Sequence, residues 1–183
     1  MQQKQRKRHN SYKQEFCSGL EVAVSEQIEQ KCDVKQSEKV YLIKATLSDR
    51  YGKVRGQPLR VLAIPEYFTL YSLAEAIVDS FGFDFDHPFG FYDNIKRWSH
   101  SDEGYELFAD IGEGSKFKGV KITRVKKVFD EIGKKMLFLF DYGDEWHFIV
   151  ELRGIKLPTE REKYPLVVES VGGTALQYEE VDE

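Results

Sequence analysis

Two cysteines and two methionines are all the sulfur this 183-residue chain carries. Cys17 and Cys32 are too few for a disulfide scaffold, and their spacing matches no zinc motif. The thiols therefore read as those of a reduced, cytoplasmic protein; a Cys17–Cys32 disulfide is compatible with the sequence, but nothing requires it. No apolar run approaches the roughly 18 residues of a membrane span. The basic start MQQKQRKRHN leads into no apolar stretch, so a secretory signal is not expected there. Also missing are a glycine-rich phosphate loop, a nucleophile elbow, HExxH and paired CxxC motifs. No catalytic residue stands out, and no cofactor is expected. Acid is absent from residues 1–13, which hold Lys4, Arg6, Lys7, Arg8 and Lys13. The whole chain has a net charge of −4, so the remainder is markedly acidic and ends in Glu179, Glu180, Asp182 and Glu183.

What is present is enough for a folded core. Hydrophobic residues make up 41% of the chain and aromatic ones 14%, a composition that buries itself rather than staying disordered. Residues 1–37 mix Gln, Lys, Glu and Ser without a strong period and read as a basic, flexible arm. Residues 38–178 read as one domain, and 179–183 as an acidic tail. Within the domain, 39–47 and 59–64 are β-rich and flank turn residues, so they should pair antiparallel. Thr69 is an N-cap candidate. Leu70, Leu73, Ala74, Ile77, Val78 and Phe81 follow at helical spacing, with Gly82 to end the helix. A strand is expected near 105–109. A second helix is expected from about 123 to 132, where Val125, Val128, Phe129 and Ile132 share a face before Gly133. The order of elements predicts an α+β fold: a mainly antiparallel sheet with two helices on one face.

The segment 138–152, FLFDYGDEWHFIVEL, sets Asp141, Gly143, Asp144, Glu145, Trp146 and His147 between two apolar runs. It reads as a β-hairpin turning at Gly143-Asp144. That turn would pair Phe140 with His147 and Asp141 with Trp146, sending Asp141 and His147 to opposite faces.

Three blocks carry a resemblance, in order along residues 39–178. They are Ile64-Pro65 with Thr69-Leu70 and the following helix; GFDFDHPFGF from Gly82 to Phe91; and Asp141-Tyr142-Gly143-Asp144-Glu145-Trp146, similar to Asp-Phe-Gly-Asp-Asp-Trp. Tyr164-Pro165 adds a fourth point. The chain resembles the family named for the third open reading frame of plasmid pRiA4b. The resemblance implies an α/β-roll fold and a link to mobile-element or DNA-related processes, and it implies no particular reaction. The departures are Leu59-Arg60-Val61 where Trp-Arg-Arg is common, Phe148 where the family often has His, and the missing C-terminal Cys-Pro-Pro-Glu-Asp block.

Two kinds of chemistry fit the distinctive residues. Asp141, Asp144 and an imidazole, His87 or His147, are donors for a divalent ion. Against this, acidic turns commonly hydrogen-bond their own amides, and a histidine set among aromatic rings is commonly a packing residue. His87, Phe89, Phe91, Trp146 and His147 with the two aspartates form instead an acidic–aromatic binding surface spread over 83–93 and 141–147. The function expected is a non-catalytic interaction module that binds a protein partner there. Nucleic acid would be contacted, if at all, through Lys4, Arg6, Lys7 and Arg8. The competing reading is a metal-dependent, hydrolase-like enzyme using Asp141, Asp144 and His87.

Overall fold

A computed structural model describes residues 39–54, 56–173 and 177. The basic arm with Lys4, Arg6, Lys7 and Arg8, and the acidic tail, lie outside the described residues.

Eight strands form one sheet: β1 (Val40–Ser48), β2 (Leu59–Pro65), β3 (Phe89–Tyr92), β4 (Gly104–Glu106), β5 (Lys118–Gly119), β6 (Lys135–Phe140), β7 (Trp146–Lys156) and β8 (Leu166–Val171). Their order across the sheet is β5-β4-β3-β6-β7-β1-β2-β8. Every pairing is antiparallel except β4 with β5. The expected hairpin β1–β2 is present, with Val40 opposite Pro65 and Thr46 opposite Leu59. The fold is α+β.

Helix α1 (Leu70–Ser80) forms where the apolar period places it. The Thr69 hydroxyl accepts the Ser72 amide hydrogen at 3.1 Å, a cap worth about 1 kcal/mol. All six residues of its apolar stripe are buried. They pack on one face of the sheet against Ile43, Leu62, Phe138, Phe148 and Val150. Phe138 is the hub, with ring centroids 4.8 Å from Phe91 and 5.7 Å from Phe148. Aromatic pairs of this kind contribute about 0.5–1.5 kcal/mol beyond the area they bury.

Arg60 ties this face together from the edge. Its side chain is buried, with the guanidinium 4.7 Å from the Phe81 ring centroid. Nε donates to the Ser80 carbonyl at 2.8 Å, and Nη1 to Leu59 and Val171 at 2.9 and 3.2 Å. It thereby caps the C-terminal end of α1 and fastens β8 to β2.

The second helix differs from expectation. Only one turn, Val125–Val128, is helical (α3; α2 is Leu107–Asp110). Neighbouring backbone holds its flanks extended. Leu70 N donates to the Thr123 carbonyl at 2.9 Å, and Val125 N to Phe68 O at 2.8 Å. Thr69 and Arg124 form an antiparallel bridge. Val125, Val128 and Phe129 are buried, while Ile132 points to solvent. The strand expected near 105–109 is likewise cut short, because β4 passes into α2 at Leu107.

Strand alternation leaves the opposite face to a smaller cluster. Tyr92, Leu137, Leu139 and Ile149 are covered there by Ile95, Trp98, Phe117 and Tyr142. On β7, Phe148, Val150 and Leu152 enter the main core, whereas Ile149 faces the smaller one. Both clusters reach the β6–β7 connection, which is where the distinctive residues lie.

Candidate functional site

The β6–β7 connection is a five-residue loop, not the two-residue turn expected at Gly143-Asp144. Phe140 pairs with Trp146 and Leu139 with His147, one position from the expected register. Two non-glycine residues in the left-handed region make this possible, Asp141 at φ 57° and Glu145 at φ 55°. Aspartate tolerates that region because its short carboxylate can satisfy the turn locally. Here Oδ1 of Asp141 accepts the Gly143 amide hydrogen at 2.8 Å, and the Asp141 carbonyl accepts from Glu145 N at 2.7 Å. The Asp141 amide donates to Pro88 O at 3.1 Å, which binds the loop to the segment entering β3.

That contact brings His87 to Asp141. Nε2 of His87 lies 3.6 Å from Asp141 Oδ2, and Nδ1 lies 2.7 Å from Asp86 Oδ1. The imidazole is held between two carboxylates at a half-exposed rim. Its pKa rises above the ordinary histidine value. The Asp86 hydrogen bond contributes most, partial burial opposes it, and the charges of Asp141 and Asp144 add to the rise. Asp144 itself is exposed. The fold thus places Asp141 and His87, whose proximity the sequence left open, beside each other. Among the described residues, however, no group of three or more His, Cys, Asp or Glu side chains is placed to hold a metal ion.

The aromatic candidates divide. Phe89 and Phe91 are 1% and 0% exposed and belong to the core. Their inclusion in a binding surface is corrected: β3 is internal to the sheet, between β4 and β6, and both rings point under α1. Trp146 is half-buried, its ring 4.8 Å from Phe83 with an edge-on geometry, so it closes the end of the core. Half-buried Phe85 is the aromatic side chain between the exposed Asp84 and Asp86.

His147 lies on the opposite face from this rim, opposite Leu139. It is 5% exposed, and neither ring nitrogen has a hydrogen-bond partner. Burial pushes the imidazole below its ordinary pKa, against the charges of Glu145 and Asp49 and together with that of Arg50. It lines an open groove of about 770 Å³ shared with Arg50, Tyr51 and Lys53 from the β1–β2 loop. Lys96, Arg97, Trp98, Ser99 and His100 of the β3–β4 connection form another side, with Glu145 beside His147. None of the cations Arg50, Lys53, Lys96 and Arg97 carries a motif that marks it in the sequence. Only the pairing of β1 with β7 and of β6 with β3 brings these loops to the same end of the sheet.

A third feature fixes the loop from beneath. The Tyr142 and Tyr92 hydroxyls are 2.7 Å apart, and Tyr92 donates to Glu106 at 2.7 Å. Burial raises both phenol pKa values, so the pair stays protonated. Gly90 makes room: a Cβ there would meet both hydroxyls at under 3 Å.

The family model for plasmid pRiA4b ORF-3-like proteins matches residues 19–181. The chain belongs to this family. Among solved structures, a protein of unknown function from Methanosarcina mazei Go1 is similar, at 22% identity and a TM-score of 0.60. The match covers 74% of this chain and 71% of that one, and it supports the fold alone. No curated protein matches the chain. For this pRiA4b ORF-3-like protein, no helix among the described residues is long and apolar enough to cross a membrane.

Proposed function

We propose that this pRiA4b ORF-3-like protein is a non-catalytic interaction module that binds a protein partner at the rim formed by 83–87 and 141–146. The observation that carries this reading is the field at His87. The carboxylates of Asp86, Asp141 and Asp144 all favour a positive charge at that point. Carboxylates converging on one point, with Asp86 2.7 Å and Asp141 3.6 Å from the His87 ring, also attract a lysine or arginine of a partner, and Phe85 and Trp146 supply apolar surface beside them. The partner chemistry is therefore a basic protein segment. An association with mobile-element or DNA-related processes is part of the same proposal.

A photo-crosslinking amino acid at Asp144 tests this, with the exposed Ile122 as the control position. A protein adduct specific to position 144, and weakened by Asp86→Asn, is expected. Adducts no stronger than at position 122 would overturn the reading.

The close approach of His87 and Asp141 favours a second reading, the metal-dependent hydrolase. Thermal melting with EDTA, Mg²⁺, Mn²⁺ and Zn²⁺ separates the two. An ion at 100 times its dissociation constant adds about 2.7 kcal/mol to the folded state. The interaction reading expects no such rise. A saturable rise lost in the Asp141→Asn/Asp144→Asn double variant would replace it with the hydrolase.

A further inference from the structure

The groove on the far face of the hairpin has the opposite sign from the rim. Among the described residues, Arg50, Lys53, Lys96 and Arg97 line it with the carboxylate of Glu145, and the charge of Asp49 also reaches His147. On a chain of net charge −4, four cations drawn from two separate loops are a local concentration, and their mutual repulsion favours an anion between them. The Glu145 carboxylate is 3.6 Å from Arg50, a partly exposed pair that contributes little to stability.

The second observation is His147. Buried polar groups are nearly always hydrogen-bonded, yet both nitrogens of this imidazole are buried and unpaired beside the groove. A neutral imidazole has one N–H to donate, and His147 lines the same groove as Arg50 and Glu145. The third observation is aromatic. Tyr51 is 68% exposed, and half-buried Trp98 is braced from behind by Tyr92 and Tyr142 at 5.4 and 5.5 Å between ring centroids. A cationic groove with braced or exposed rings suits a backbone of phosphates whose bases stack. The basic lining is bounded by the carboxylates of Asp144 and Glu145, so it suits one strand better than the broad charge of a duplex.

We propose that this groove binds single-stranded nucleic acid, with Arg50, Lys53, Lys96 and Arg97 on the phosphates, Tyr51 and Trp98 against bases, and His147 donating a hydrogen bond to the strand. The groove shares Glu145 with the acidic rim, but its proposed ligand and its test do not depend on the rim's partner.

The test uses the full chain and a short 5′-fluorescein oligothymidylate, followed by anisotropy. Four phosphate contacts on a single strand weaken binding about 50-fold between about 50 and 200 mM salt. Lys96→Gln/Arg97→Gln, both exposed, leaves two contacts and lowers that loss to about 7-fold. His147→Leu weakens binding several-fold without changing the salt dependence, because it removes a hydrogen bond and no charge. Unchanged melting of the Lys96→Gln/Arg97→Gln variant confirms that the fold is kept. Three results would overturn the proposal. One is no saturable binding at low salt. Another is displacement of the oligomer by thymidine monophosphate or inorganic phosphate at equal phosphate concentration, which would mark a small-anion pocket. The last is binding that survives the groove variants but is lost when Lys4, Arg6, Lys7 and Arg8 are changed to Gln.

Discussion

Replacing His147 by leucine should make the protein more stable. The imidazole sits opposite Leu139, next in the strand to Phe148, with both nitrogens buried and unpaired. Leaving a polar group buried without a partner costs about 1–3 kcal/mol. A leucine of similar volume removes that cost and can pack with Leu139 on the same face. We expect a gain of about 1–2 kcal/mol at neutral pH, which for a chain of this length corresponds to a melting temperature higher by about 2–8 °C. The gain has a pH signature. Burial depresses the folded-state pKa of His147. Below the ordinary value near 6.5, the unfolded chain therefore takes up a proton that the folded chain resists, and the wild type loses stability as pH falls toward the folded value. The leucine variant lacks this loss, so its advantage grows on the acid side of neutrality. Other histidines contribute equally to both proteins and cancel in the difference. Urea unfolding in phosphate-free buffer, on both sides of that pKa, measures the effect. A His147→Leu variant less stable than the wild type at both pH values would refute the reasoning: the ring would then be satisfied in solution, and the argument for the groove would lose its main support.

Other predictions follow from the same geometry. Arg60→Leu removes the guanidinium bonds to the Ser80, Leu59 and Val171 carbonyls and should cost about 2–4 kcal/mol in urea unfolding, with Arg60→Lys recovering only part because an ammonium lacks the fork. Tyr92→Phe removes the bonds to Glu106 Oε1 and to the Tyr142 hydroxyl, leaving Glu106 only its bond from Ser115, and should destabilise by about 1–3 kcal/mol, more than Tyr142→Phe, which leaves the Tyr92–Glu106 bond in place. His87 should titrate above 6.5 by NMR, with Asp86→Asn lowering its midpoint more than Asp144→Asn; its stabilising contribution is complete below the unfolded pKa and fades as pH rises through the folded one. Gly90→Ala should destabilise through contact with the Tyr92 and Tyr142 hydroxyls, by about 1–3 kcal/mol on thermal or urea unfolding.

The elements governed by local pattern were legible in the chain. Helix α1 needs only a cap, an apolar stripe and a glycine, and Thr69, the residues from Leu70 to Phe81, and Gly82 supply them in order. The β1–β2 pairing and the apolar arms of the β6–β7 hairpin follow from residue type alone. The three blocks that carry the family resemblance include turn and core residues of this fold, among them Asp141 and Phe89. Other features depended on partners distant in sequence. The residues around Val125 carry a helical period, but backbone bonds to Phe68 and Leu70 hold the preceding chain extended, and hydrogen bonds already committed override propensity. The loop at Asp141 has five residues because its carboxylate captures the Gly143 amide, and that single change of register decided which face His147 took. Phe89 and Phe91 had the composition of a binding platform and became core, since a strand paired on both sides and covered by a helix exposes nothing. Sequence alone determined where apolar surface must be buried. Tertiary structure decided where charge collects, because Arg50 and Lys53 meet Lys96 and Arg97 only through strand order, and His87 meets Asp141 only across the mouth of the sheet.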